Sequence, residues 1–251
     1  MVSRVICYVD GFNLYHSIHE MAGLLGRPCN HLKWLDLWKL TTQFIDPNYH
    51  RIEAVHWFSA IKAGNPRRMA RHQAYCAALQ ATGVTIHMAH FKQKTVYCKK
   101  CRQSFTGYEE KESDVNLAVQ LVSDAYEDRF DTAFVISRDS DLTSPLRFIR
   151  NRFSQKKLKV IAPPMRKHSK ELWAIATHRA TILESHLDQS LLEREVIDNA
   201  GKLIATRDAL YDPPPPNGRD KSKPSGAHKK QRRPLGPPRA PAPKHRGRYA
   251  L

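Results

Sequence analysis

Four aspartates of this chain stand where apolar runs begin or end. Asp10 closes Val5-Ile6-Cys7-Tyr8-Val9, Asp139 and Asp141 follow Ala133-Phe134-Val135-Ile136-Ser137, and Asp114 opens a stretch with helical spacing. Such runs read as buried parallel strands, and in open α/β sheets ligands bind in the crevice outside the carboxyl ends of the strands. A fold that brings these ends together gathers carboxylates. They repel one another unless a hard cation neutralises them, and Mg²⁺ or Mn²⁺ accepts a few carboxylates plus water and substrate phosphate. The chemistry this points to is that of a phosphodiester.

Each carboxylate has its own setting. In Asp10-Gly11-Phe12-Asn13 the glycine lets the chain turn sharply off a strand, and Asn13 can reach back with its amide to hold a water or a carboxylate. Asp114 follows Ser113, an expected helix N-cap, and precedes an apolar face of Val115, Ala118, Leu121, Val122 and Ala125. In the first helical turn the dipole favours its charge. Asp139 and Asp141 are two apart, so in extended geometry they leave the chain on one side and two oxygens can face one ion. A single aspartate more often caps a helix or closes a turn. Four at comparable topological positions are a stronger signal.

The elements that must position them alternate. Strand-length apolar runs occupy residues 5–9, 54–59, 84–89, 132–137 and 158–162, and helical periodicity marks 32–44, 66–81, 113–126, 144–152 and 169–175. Strand alternating with helix implies crossovers and a parallel sheet covered by helices. Residues 181–204 read as helical but irregular. One insertion, residues 91–112, breaks the alternation: it is basic and aromatic, carries Cys98-Lys99-Lys100-Cys101, and reads as a hairpin or knuckle beside the sheet that leads into the helix bearing Asp114.

From Asp212 onward ten of forty residues are Pro and eleven are Lys or Arg, with almost no large apolar side chains, so no core can offset the entropy of ordering. We place a globular domain at 1–205 and a basic, Pro-rich, disordered tail at 206–251. The stretch from Asp212 carries +9 of the total +17, which leaves both pieces basic and suited to a polyanion such as nucleic acid. No apolar stretch reaches the ~18 residues of a membrane span and no signal peptide precedes the domain, so a cytoplasmic protein with no membrane partner is expected. A homo-oligomer is compatible with the sequence.

Basic residues fall in two useful places. Arg138 lies within Ser137-Arg138-Asp139, and Arg166, Lys167 and Lys170 follow the run ending Ala162-Pro163-Pro164, at the same sheet edge as the aspartates, where they could grip the backbone of a bound strand. Cys98 and Cys101 have the spacing of half a structural Zn²⁺ site, to be completed by one histidine and an outside ligand, or are a reduced pair without metal. His87 and His90, three apart on a strand, point to opposite faces and are poor candidates for the other half. Cys7 and Cys76 fall within apolar patterns and read as core.

Tyr8-Val9-Asp10-Gly11-Phe12-Asn13-Leu14-Tyr15, then Tyr108-Glu109-Glu110-Lys111-Glu112-Ser113-Asp114-Val115-Asn116, then Ser137-Arg138-Asp139-Ser140-Asp141-Leu142 resemble the motifs of the NYN-domain family, specifically its LabA-like branch, in that family's order. The family belongs to the PIN-like nuclease superfamily. The resemblance, over roughly residues 3–185, implies a three-layer α/β/α PIN-like fold with a mostly parallel central sheet. It also implies Mg²⁺- or Mn²⁺-dependent ribonuclease activity on RNA, with Asp10, Asp114, Asp139 and Asp141 as the acidic metal site and Asn13 as its polar helper. One position departs: the family commonly has Gly or Ala where this chain has Arg138. A guanidinium there either pairs with the aspartates in the metal's place or turns outward to hold a substrate phosphate. The first case makes the protein an RNA-binding or scaffold protein on a nuclease fold. An Asp-x-Asp also occurs in haloacid-dehalogenase phosphatases, but there it sits at the first strand, where this chain has Asp10-Gly11-Phe12.

Overall fold

The computed structural model describes residues 2–167, 169–198 and 200–214. Its elements in chain order are β1 (Ser3–Asp10), α1 (Gly11–Leu25), α2 (Leu37–Thr42), β2 (His50–Ala60), α3 (Pro66–Ala81), β3 (Thr85–Tyr97), β4 (Ser104–Lys111), α4 (Ser113–Tyr126), β5 (Thr132–Ile136), α5 (Thr143–Arg152), β6 (Lys157–Ala162), α6 (Lys170–Ile175), β7 (His178–Thr181), α7 (Glu184–Asp188), β8 (Glu195–Ile197) and β9 (Leu203–Thr206). Among the described residues the main sheet orders its seven strands β4-β3-β2-β1-β5-β6-β7, and every pairing is parallel except β3 with β4. This is the expected three-layer α/β/α architecture. From β1 the chain builds outward through β2 and β3, then returns through α4 to lay β5 on the other side of β1. The gap between the ends of β1 and β5 is therefore the topological switch point, where open sheets open a crevice.

Alternation along β1 divides the core. Val5, Cys7 and Val9 face one layer with Leu14, Ile18 and Met21 of α1, Leu37 and Leu40 of α2, and Tyr75, Ala78 and Leu79 of α3. Ile6 and Tyr8 face the other, against Leu117, Leu121 and Ala125 of α4, Leu146 and Ile149 of α5 and Leu172 of α6. Asp10 keeps the phase of Ile6 and Tyr8.

α1 is absent from the expected helices. It begins on the residue after β1 with no intervening loop, so Asp10-Gly11-Phe12-Asn13, read as a turn, is the cap and first turn of a helix whose Leu14, Ile18 and Met21 stripe is buried. The helix expected at 32–44 divides into a 3₁₀ turn, Asn30–Lys33, and α2, because the Asp36 carboxylate caps the backbone N–H groups of Trp38 and Lys39 and starts a new helix. Residues 181–204 are not helical throughout: after β7 they form α7, β8 and the start of β9, and the β8–β9 ribbon buries Val196 and Ala205 in the α1–α3 layer. The insertion is the expected hairpin, β3 pairing with β4 from His90↔Lys111 to Tyr97↔Ser104. A turn at Ala209–Tyr211 follows β9. Beyond Pro214 the tail expected from the composition lies outside the described residues.

Candidate active site

β1 and β5 end side by side, and their last residues build the centre of the site. Asp10, only 4% exposed, is the N-cap of α1. Its Oδ1 accepts the Asn13 backbone N–H at 2.9 Å and its Oδ2 accepts the Ser137 hydroxyl at 2.8 Å. Ser137 Oγ in turn accepts the Asp139 backbone N–H at 3.0 Å, and Asp139 Oδ1 accepts that of Asp141 at 2.9 Å, capping the 3₁₀ turn Ser140–Leu142. Ser137 thus couples two of the expected carboxylates. The sequence reading gave it no role, although it stands at the end of the β5 run.

Burial raises the pKa of Asp10, the Asn13 and Ser137 hydrogen bonds oppose the rise, and the negative charge of Asp139 adds to it. A nearby cation would relieve both the burial cost and the repulsion. The donor set suits a hard ion: Mg²⁺ is held by one or two carboxylates while keeping several waters, and Asp10 with Asp139 offers that number.

The other two aspartates stand further out. Asp141 is exposed in the short turn after Asp139. Asp114 is half-buried in the first turn of α4, the expected place, and α4 packs against the Ser140–Leu142 turn. The cap differs from expectation: Glu112, at φ 80°, precedes the helix, and Ser113 is its first residue. Val115 is exposed, because the buried stripe runs through Leu117, Leu121, Asp124 and Ala125. Among the described residues no three His, Cys, Asp or Glu side chains stand close enough together to hold one ion as they are.

Beside Asp139 a polar cleft of about 410 Å³ is lined by Asn13, His16, Glu20, Arg138, Ser140 and Arg166. Arg138 is exposed at its wall, and Arg166 is ion-paired with Glu20 of α1. Both therefore share a cleft with Asp139. Lys167 and Lys170 are exposed on the following segment and do not line it. At the hairpin end Cys98 is half-buried and Cys101 exposed, and hydrogen bonds from the Cys101 and Lys100 backbone and from Cys101 lower the Cys98 pKa. No third His, Cys, Asp or Glu among the described residues completes a site with them. His87 turns inward against His56, and His90 lies outside beside Glu112. No described helix is long and apolar enough to cross a membrane.

The family model described as NYN domain matches residues 4–184. Among solved structures the chain is similar to a protein of unknown function from Vibrio parahaemolyticus, with 17% identity and a TM-score of 0.49 over 76% of this chain and 97% of that one. No curated protein matches it.

Proposed function

The chain belongs to the NYN-domain family, and from that premise we propose that it is a ribonuclease of the LabA-like branch that hydrolyses RNA with Mg²⁺ or Mn²⁺. The observation that carries the reading is the Asp10–Ser137–Asp139 chain at the switch point: a buried carboxylate, coupled through one hydroxyl to a second, at the mouth of a cleft with basic walls. Asp10, Asp114, Asp139 and Asp141 would hold the ion, Asp10 and Asp139 standing nearest the switch point. When bound, the ion supplies Lewis acidity to the scissile phosphate and lowers the pKa of an attacking water.

The remaining work falls to the chain itself. Ser137 and the Asn13 backbone N–H fix both oxygens of Asp10, which holds its orientation without a rotamer search. Arg138 and Arg166 place the phosphate backbone in the cleft, and Lys167 and Lys170 extend the positive edge beyond it. A cytoplasmic location keeps the five unpaired thiols reduced. Cys98 and Cys101 are a half-site for Zn²⁺ whose completion needs ligands from elsewhere.

The direct test is Asp139→Asn with purified protein and a single-stranded RNA in Mn²⁺. Cleavage falls at least about a hundredfold while the fold is retained, as expected when one charge-stabilising group is removed. Cleavage that survives a chelator, or an Asp139→Asn variant as active as the parent, sinks the proposal. Arg138, exposed at the wall of the cleft that Asp139 lines, supports a second reading, an RNA-binding scaffold on the same fold. Calorimetric titration with Mn²⁺ separates the two. A scaffold blocked by Arg138 gains Mn²⁺ affinity in Arg138→Gly, whereas a nuclease that uses Arg138 to hold phosphate loses RNA affinity and turnover in the same variant.

A further inference from the structure

A second pocket, of about 380 Å³, opens between α1, β2 and α3. It is not the carboxylate cleft, but Phe12 and His16 line both. Its volume lies within the ~300–1,000 Å³ range of small-molecule sites. Rings dominate the lining: Phe12, Tyr15, Trp57, Tyr75, Phe91 and Tyr211. Four cations also line it, Lys33, Lys62, Arg68 and Arg71, and none of the lining residues is acidic.

Tyr75 donates to the Leu35 carbonyl, Ser59 meets His72 and the Arg71 guanidinium meets Tyr211, but two donors here lack acceptors. Arg71 Nε and Trp57 Nε1 are buried without a hydrogen-bond partner among the described residues. Lys33, 9% exposed, lies over the Tyr15 ring at 4.7 Å, and among the described residues its Nζ meets Asn30 Oδ1 at 2.9 Å and His19 Nδ1 at 3.3 Å. Burial brings its pKa down to about 8. Buried donors without acceptors are costly, and buried cations without counter-ions more so. The complementary ligand has flat rings, several acceptors and negative charge. A purely apolar ligand leaves the cations unanswered, and a neutral sugar lacks the flat face. Nucleotides meet all three requirements, since bases stack on aromatic side chains and the phosphate is an anion.

We propose that this pocket is a nucleotide subsite that takes one base of the RNA strand next to the carboxylate cleft and favours bases with an acceptor-only edge, guanine foremost. Guanine presents N7 and O6 as neighbouring acceptors, whereas adenine places an amino donor beside N7. Its role within an RNA strand rests on the ribonuclease reading above; nucleotide binding does not. Arg71 is a specificity residue for the base, and Lys62 and Arg68, both exposed, stand at the mouth for phosphate.

The test titrates the full chain, without divalent ions, with the 5′-monophosphates of guanosine, uridine, cytidine and adenosine. GMP binds most tightly and AMP most weakly. Arg71→Met, which keeps the stem and removes the donors, weakens GMP about tenfold, the loss expected for one charge-assisted hydrogen bond. Met69→Trp, which fills the pocket from α3, abolishes binding, while Asp139→Asn leaves it unchanged. Circular dichroism and thermal unfolding confirm that each variant is folded. If none of the four nucleotides binds the parent, or if a folded Met69→Trp binds GMP like the parent, the subsite is overturned. If a guanine-bearing oligonucleotide fails to compete with GMP, the pocket serves a free nucleotide and its assignment to the strand is overturned. GMP binding that follows these variants in a protein that cleaves no RNA overturns the ribonuclease reading and leaves the subsite standing.

Discussion

Two carboxylates are buried near the centre of the sheet, and the protein treats them in opposite ways. Asp124 on α4 is 0% exposed and surrounded by donors: its Oδ2 accepts the Tyr8 hydroxyl at 2.7 Å, its Oδ1 accepts Gln120 Nε2 at 3.0 Å and Arg129 Nη1 at 3.1 Å, and His56 Nε2 stands 3.8 Å away. The chain supplies that charge with its own cation. Asp10, two residues beyond Tyr8 on β1 and on the same face, receives neutral donors, the Ser137 hydroxyl and the backbone and side-chain amides of Asn13, and a second carboxylate, Asp139, acts on it with the wrong sign. Burial alone therefore does not mark a functional acid. The partners differ: Asp124 meets a cation of the chain's own, and Asp10 meets neutral donors beside a second carboxylate, the contrast on which the proposed metal site rests.

The largest effect that bears on this contrast is a crossover. Asp10→Asn lowers Mn²⁺-dependent RNA cleavage at least about a hundredfold and leaves thermal stability equal or higher, because a buried charge and a like-charge repulsion both disappear. Loss of fold in Asp10→Asn would make Asp10 a structural residue like Asp124 and break the distinction. Asp124→Asn does the reverse: urea unfolding shows a loss of about 1–3 kcal/mol, because the amide keeps one acceptor oxygen but turns a donor towards the buried Tyr8 hydroxyl or Gln120, while Arg129, half-exposed, meets water instead, and the folded fraction cleaves RNA at the parent rate.

The network around Asp124 also gives a pH signature that Asp10 does not share. Burial lowers His56 from 6.5 to about 4, against the pull of Asp124, and lowers His87 as well. In that window the unfolded chain binds more protons than the folded one, so stability is full above pH 6.5 and falls as the pH drops towards 4. The loss reaches about 2–3 kcal/mol at the lower end. Urea midpoints measured from pH 7 to 4 should follow this course in the parent and flatten in His56→Asn. A variant that still loses stability in the same way would move the effect to other groups.

The smallest expected effect lies outside the domain. Residues 215–251 hold eleven Lys and Arg and one acid, a charge that in the proposed ribonuclease would add affinity for RNA without choosing its sequence. Deleting them should flatten the slope of RNA affinity against log salt and leave the base preference of cleavage intact. An unchanged slope would assign the salt dependence to Arg138 and Arg166 in the cleft.

Much of this was legible in the residues. Pro66–Ala81 and Ser113–Tyr126 form helices over the spans their periodicity predicts, and all five apolar runs become strands of the main sheet. Those signals are local. α1 escaped because strand and helix share the Asp10–Gly11 junction, and Asp-Gly is also a turn signal. The end of the domain escaped because β8 and β9 are three and four residues long and are held by contact with α3, which no periodicity records. At the candidate site, motif order singled out Asp10 and Asp139, but their link through Ser137 depends on the β1–β5 register, Val9↔Ile136, which only the sheet topology brings about. The aromatic pocket was invisible for the same reason: its rings come from α1, β2, α3, β3 and the turn at Tyr211.

Gly11 ties these parts together. A Cβ there would stand 2.6 Å from the Phe58 carbonyl oxygen and 2.7 Å from the Trp57 ring, one of them backbone that cannot swing aside. The residue sits between Asp10, which caps the helix, and Trp57, which lines the pocket. Even one added methyl group must lift α1 from β2, and in doing so it disturbs the carboxylate and the ring together. Selection or engineering that reshapes one site by moving this helix will meet the other as a constraint, so the two can be tuned by their own side chains but cannot drift apart along the backbone.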